Sequence, residues 1–284
     1  MRIKIISDSG SDITQEEASR AGITIIPLKI IVGNVEYRDG IDITPYKLYS
    51  MLDDCDILPH TSQITPDEFA KEYHEAFKTA DEILVITIGA KLSGTYYSAT
   101  LAATEFKKPI HIVDSGNAAA AQRILVEYAV RLANTDASAS EIARKLEEVK
   151  RKLQIIARVD TLEYLKRGGR LSKTAAIAGS ILSIKPVIGI ENGEVSIFGK
   201  ARGSKASSNL LTELINKRGG IDFSMPYRLI YSGNDDALLK GYIDNSRSLW
   251  VGHTDNLPIS MLGSTIGVHV GPGAIGVAFF SNNE

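Results

Sequence analysis

The run Ile83–Ile88 (ILVITI) constrains this chain more than any other feature. It is apolar almost throughout and does not alternate. Both faces of such a strand must be covered, as in a parallel sheet flanked by helices. The surrounding residues fit that arrangement. Ile3–Ser7 and Ile110–Val113 read as further strands. Between them lie helical patterns. One opens at Thr14, with Glu17 three positions on as a capping box and Gly22 at its end. Thr44-Pro45 opens another, running to about Asp53, and Thr65-Pro66 a third with Phe69, Ala70, Tyr73 and Phe77 on one face. Further helices are expected over Thr95–Phe106, Ala118–Leu132 and Ser140–Leu153. Leu28–Val32 and Val35–Tyr37 flank Gly33-Asn34, a hairpin signal.

Beyond the charged Lys145–Lys152 stretch the pattern changes. Ile155–Val159 reads as a strand, and Thr161–Arg167 as a short helix stopped by Gly168-Gly169. A helix is expected near Lys173–Ser183. Val187–Ile190 and Val195–Phe198 flank Asn192-Gly193, the strongest hairpin signal in the chain. Helices near Ser204–Lys217 and Asp235–Arg247 and a strand at Tyr227–Tyr231 follow. The expected architecture is α/β in two domains: a Rossmann-like parallel α/β domain over residues 1–155, and an α+β domain with a mixed sheet over 156–284. At 284 residues the chain can bury about three quarters of its unfolded surface. Ile259–Phe280 carries no Asp, Glu, Lys or Arg across 22 residues. Its five glycines and the Gly271-Pro272-Gly273 turn favour strand–turn–strand in a buried sheet over a membrane span.

Composition removes several function classes. Lys plus Arg is 32 and Asp plus Glu 34, for a net charge of −2, so nothing in bulk favours nucleic acid. The N-terminus MRIKIISDSG lacks the apolar core of a signal peptide. The single cysteine, Cys55, fits a reducing, cytoplasmic setting. No P-loop and no dinucleotide-type glycine loop after a strand is present. Lys91 and Thr95 stand where a serine-hydrolase elbow around Ser93 needs glycine. The five histidines show no metal-ligand spacing, so no metal or cofactor is expected. Asp53, Asp54 and Asp56 read as a solvated helix end.

What remains is hydroxyl chemistry. Thr61-Ser62-Gln63 precedes the Thr65 helix. Ser93-Gly94-Thr95 stands between the buried strand and the next helix, and His269 sits in an apolar stretch. Hydroxyls and free N–H groups at a helix start favour an anion, and Gly94 lets a ligand approach the backbone. With only Lys91 nearby, that suits a carboxylate held by neutral donors better than a polyphosphate. Each stretch also has a plain structural reading, as loop hydroxyls, helix caps or a hydrogen-bonded core histidine. Two strand ends echo each other, Ser7-Asp8-Ser9-Gly10 and Val113-Asp114-Ser115-Gly116, at the sheet edge where α/β proteins bind ligands. Arg158–Lys205 holds nine Lys or Arg against four acids: either a solvated face or a docking surface for an acidic or phosphate-bearing partner.

Taken together, Ser7-Asp8-Ser9 with Asp12, Asp39-Gly40, Thr61-Ser62-Gln63, Ser93-Gly94-Thr95, Val113-Asp114-Ser115, Leu165–Leu171 and His269–Gly276 match a known pattern in order. Along essentially its whole length the sequence resembles the DegV family of bacterial fatty-acid-binding proteins. Ile64 stands where that family usually has proline. The resemblance implies a long-chain fatty acid (C14–C18) as ligand, buried in a tunnel. Its carboxylate would be held by Thr61 and Ser93, with Ser62, Gly94, Thr95 and His269 around it. It implies a carrier, not an enzyme, which presents the acid to a separate fatty acid kinase for acyl-phosphate formation and phospholipid synthesis. Arg170 and Arg202 are then the expected kinase-docking residues. An enzyme acting on a small carboxylate or phosphate ester at the same site is the alternative.

Overall fold

The computed structural model describes residues 2–54, 59–171 and 184–283. The chain begins β1 (Ile3–Asp8), α1 (Gln15–Arg20), β2 (Thr24–Ile26), β3 (Lys29–Val32), β4 (Val35–Arg38), α2 (Pro45–Asp54), β5 (His60–Ser62) and α3 (Pro66–Ala76). Next come β6 (Glu82–Thr87), α4 (Thr95–Ala103), β7 (Ile110–Asp114), α5 (Ala119–Ala133) and α6 (Ala139–Val149). The remainder is β8 (Leu153–Arg158), α7 (Glu163–Arg167), β9 (Ile184–Glu191), β10 (Glu194–Arg202), α8 (Gly203–Lys217), β11 (Arg228–Tyr231), α9 (Ala237–Asn245), β12 (Ile259–Met261), α10 (Ser264–Val270) and β13 (Ile275–Phe280).

The apolar run does form a central strand. All six residues of β6 are buried, and it pairs in parallel with β1 and β7 in a sheet ordered β2-β1-β6-β7. The expected capping box at Thr14 closes, and Thr65 forms a second one with Glu68. A second, six-stranded sheet is ordered β10-β9-β8-β13-β11-β12. It is mixed: β11 and β12 run parallel, and the other pairs are antiparallel. Asn192 and Gly193 take left-handed conformations (φ 53° and 79°) and turn the β9–β10 hairpin. Beside these lies a small antiparallel sheet, β4-β3-β5.

Helix α5 joins the two large sheets. It packs against β1 and β6 on one side and β8, β11 and β13 on the other. Ala119 to Val126 are all buried, as they must be in a helix covered all round. Its alanines let both sheets approach, and one continuous apolar core runs from Leu84 and Ile86 through Ile124 and Leu125 to Ile155 and Ala278.

One expectation is corrected. Ile259–Phe280 is not strand–turn–strand: β12 and β13 flank the helix α10. Gly263 precedes that helix and Gly271 (φ 73°) ends it, and Ser264 to Val268 are buried. Tertiary contacts decide the outcome here over the β-branched composition, because the N-terminal N–H groups of this helix find partners far away in the chain. The helix expected near Lys173–Ser183, and Cys55, lie outside the described residues. Among the described residues, no helix is long and apolar enough to cross a membrane.

Candidate functional site

A cavity of about 460 Å³ lies where the second sheet meets β5, the loop before α4, the start of α5 and helix α10. Most of its wall is apolar. Ile155 and Ala157 come from β8, Ile188 and Ile190 from β9, Val195 from β10 and Ile230 from β11. Leu28, Ile88, Leu92, Ala118 and Ala119 face them from the first half. The polar part is confined to Thr61, Ser62, Gln63, Ser93, Gly94, Thr265, Arg170 and His269.

Three separate elements bring these groups together. Thr61 and Ser62 stand on the edge strand β5, where Thr61 lies opposite Ile30 of β3. His269 sits in the last turn of α10, and its Nε2 is 2.8 Å from Thr61 Oγ1. Ser93 precedes α4; its Oγ is 2.9 Å from Thr95 Oγ1 and accepts the Thr95 N–H at 3.3 Å. Thr95 itself is fully buried behind Ser93 and does not line the cavity. Gly94 leaves room for Gln63, since a Cβ there would stand 1.9 Å from Gln63 Oε1 and the amide would have to shift. Gln63 is held in turn by donating to Ser98 Oγ at 3.0 Å.

Arg170 brings the one charged side chain among the described residues of the cavity wall. Burial, reinforced by the Arg170 guanidinium, pushes the His269 pKa down to about 4, so the imidazole is neutral at pH 7. Gly168 leaves room for its ring: a Cβ there would lie 2.2 Å from Nδ1. Arg170 donates from Nε to Leu92 O at 3.0 Å and from Nη1 to Gly168 O at 2.7 Å, and burial lowers its pKa. It therefore straps the β6–α4 loop to the segment after α7.

The two arginines named from the sequence thus sit in different places. Arg170 turns inward and lines the cavity. Arg202 is exposed at the start of α8. Other basic residues of the same segment are engaged internally. Arg158 is buried with Nη1 on Gly273 O at 2.8 Å, Lys185 pairs with Asp160, and Arg167 pairs with Glu163 at 2.6 Å. Lys166, Lys200, Arg202 and Lys205 remain exposed. Sequence reasoning did not place Gln63 or Arg170 on the cavity wall. The signal for Gln63 was its place in the Thr61-Ser62-Gln63 stretch, next to two hydroxyl residues that also reach the wall. Nothing local in the sequence foretells that Arg170 reaches Leu92.

The fold and site define an α/β protein with a largely apolar cavity between two sheets, and hydroxyls, an imidazole and the Arg170 guanidinium gathered at one part of its wall. The comparisons with known proteins give the family. The model of the DegV family, described as uncharacterised proteins, matches residues 2–282. The chain belongs to the DegV family. DegV domain-containing proteins of Caldanaerobacter subterraneus and Deinococcus radiodurans are 34% and 32% identical to it, each over 98% of both chains. A DegV family protein from Thermus thermophilus, solved in connection with fatty acid binding, superposes with a TM-score of 0.88 at 32% identity, covering 99% of this chain and 100% of that one. The fatty acid binding protein DegV of Bacillus subtilis gives 0.83 at 29%, over 98% of each chain. A stearic acid-binding protein of Eubacterium ventriosum gives 0.84 at 28%, over 97% of each.

Proposed function

We propose that this chain binds a long-chain fatty acid in the cavity, with the carboxylate held by the hydroxyls of Thr61 and Ser93 beside His269. The observation that carries this reading is the segregation of the wall: apolar strands on one side, and hydroxyls with a neutral imidazole on the other. A 16-carbon tail offers on the order of 12 kcal/mol of gross burial energy at about 0.8 kcal/mol per CH₂. Ordering and desolvation take back much of it. The head group must stay hydrogen-bonded once buried. Thr61 can donate to a carboxylate if His269 Nε2 carries its proton and donates to Thr61 Oγ1. Ser93 can do the same while accepting from Thr95. The solved relatives described as fatty acid binding support the same reading.

The chain acts here as a carrier and not as an enzyme. Ser93 Oγ is engaged by the Thr95 side chain and N–H, neither of which is a general base. The bound acid is presented to a separate fatty acid kinase, and the exposed Lys200, Arg202 and Lys205 form the docking side. Arg170, the other arginine named for docking, lines the lipid cavity and is tied to Leu92 and Gly168, so it acts on the cavity wall and not on the exposed side.

Native mass spectrometry of the protein purified from a bacterial host, followed by lipid extraction, tests the ligand. The expected result is a bound mass matching a C14–C18 fatty acid. A protein that is empty and takes up neither palmitate nor oleate overturns the reading.

A further inference from the structure

The histidine of the head-group site stands on a helix of seven residues with no side-chain cap of its own. So short a helix is not stable alone. Its N-terminus is held instead by two carboxylates from the opposite end of the sequence. Asp12 Oδ1 accepts the N–H of Gly263 at 2.9 Å, and Asp39 Oδ2 accepts the N–H of Thr265 at 3.2 Å. Tyr49 adds a third tie, donating its hydroxyl to Leu262 O at 3.2 Å.

These carboxylates are costly to place. Asp12 and Asp39 are 8% and 3% exposed, and Asp12 has a left-handed backbone (φ 57°), which is unfavourable for a residue with a Cβ. Oδ2 of Asp12 has no hydrogen-bond partner among the described residues. Burial raises the pKa of both, against the hydrogen bonds they accept. A serine hydroxyl would satisfy one helix N–H far more cheaply. A fold that keeps two such groups on one short helix is fixing something that depends on that helix.

We propose that Asp12 and Asp39 are positioning residues that fix α10 so that His269 meets Thr61 at the head-group site. The line of action is short. Thr265, whose N–H Asp39 holds, lies one helical turn before His269, and both side chains line the cavity. His269 in turn must reach a fixed partner, because Thr61 is locked in the β3–β5 pairing. Both aspartates border a second cavity, of about 410 Å³, so shortening either side chain enlarges existing space and does not open a new void.

The inference rests on the fatty acid reading, and the test separates the two. Binding of palmitate and of hexadecanol to delipidated protein is measured for the wild type, Asp39→Ala and Asp39→Asn. The two probes share a tail and differ in the head group. The wild type is expected to prefer palmitate. Asp39→Ala is expected to lose about tenfold in palmitate affinity while hexadecanol changes less than about twofold. Asp39→Asn keeps an oxygen acceptor for the Thr265 N–H and is expected to restore most of the preference. Equal losses for both probes in Asp39→Ala mean a merely structural role and overturn the proposal. If Asp39→Ala does not fold, Gly263→Ala serves, because its Cβ would stand 2.7 Å from Asp12 Oδ1 and part the clamp without removing a charge. The same selective loss of palmitate is expected there, and unchanged selectivity overturns the proposal. A wild type with no preference for palmitate defeats the head-group reading itself, a result distinct from either variant outcome.

Discussion

The two sheets meet the cavity in different ways. The six-stranded sheet gives only apolar side chains: Ile155, Ala157, Ile188, Ile190, Val195 and Ile230. The small β4-β3-β5 sheet and the loop that follows the parallel sheet give the hydroxyls of Thr61, Ser62 and Ser93. On the proposed reading one wall takes a hydrocarbon tail, and the other a polar head that must not lose its hydrogen bonds. Tail affinity and head-group selectivity are then expected to reside on different elements and to be separable by mutation.

The most damaging test of that division is a charge on the apolar wall. Ile190 lines the cavity and is only partly buried, so the strand can tolerate a polar residue better than at Ile230. Ile190→Asp is expected to weaken palmitate and hexadecanol alike by on the order of 3 kcal/mol, because a desolvated carboxyl is left beside the tail. Isothermal titration with both ligands reads this directly. A loss confined to palmitate would show that the head group reaches β9, and the division would be wrong.

Titration contrasts a buried acid under the parallel sheet with the base at the head-group site. Asp8 ends β1, where its carboxylate accepts N–H groups from Ile88 at 2.8 Å and Gly10 at 3.0 Å. Burial outweighs them and raises its pKa to about 6. The folded state thus binds this proton more tightly than the unfolded chain, so Asp8 makes stability fall as pH rises from about 4 to 6. His269 is depressed to about 4. The unfolded chain binds its proton more tightly, so His269 makes stability rise between about 4 and 6.5. Each effect amounts to about 3 kcal/mol. Asp12 and Asp39, raised by burial, act in the Asp8 direction. Urea denaturation of delipidated protein across this range should show Asp8→Asn losing less stability with rising pH than the wild type. His269→Gln should lose more. Parallel curves for wild type and His269→Gln would mean that the imidazole is not desolvated.

The same contrast explains what was legible in the sequence. The parallel layer was, because β6 announces its burial in six consecutive residues and Thr14 and Thr65 carry their caps within three positions. The hydroxyls at Thr61 and Ser93 and the histidine stood out in the sequence as separate polar stretches, but nothing in their spacing made them neighbours. Their convergence depends on α10, and the partners that fix that helix, Asp12 and Asp39, lie more than 220 residues away. Without them, Ile259–Phe280 reads as strands. Arg170 shows the same limit: its partner Leu92 is 78 positions off, and an arginine in a basic segment looks like surface until that bond is seen.

On the polar wall the expected effect is smaller. Ser93→Ala removes one of two hydroxyl donors and should cost palmitate about 1–3 kcal/mol while leaving hexadecanol nearer its wild-type affinity. Equilibrium binding of the two ligands measures the difference. Unchanged palmitate affinity removes Ser93 from the head-group site.

The smallest effect on lipid binding is expected outside both walls. Arg202 is exposed at the N-cap position of α8, where an acidic residue is electrically acceptable because the helix N-terminus is positive. Arg202→Glu should therefore fold normally and bind palmitate within about 0.5 kcal/mol of wild type. Turnover of the bound acid by an added fatty acid kinase should nevertheless fall, since a repulsive charge now stands on the docking side. Arg170→Glu should differ by lowering both, because that side chain ties Leu92 to Gly168 beside His269. Measuring binding and kinase turnover for the two variants in parallel places the boundary between carrying the lipid and handing it on. If Arg202→Glu loses lipid affinity to the same degree as Arg170→Glu, that boundary does not run between the cavity wall and the start of α8.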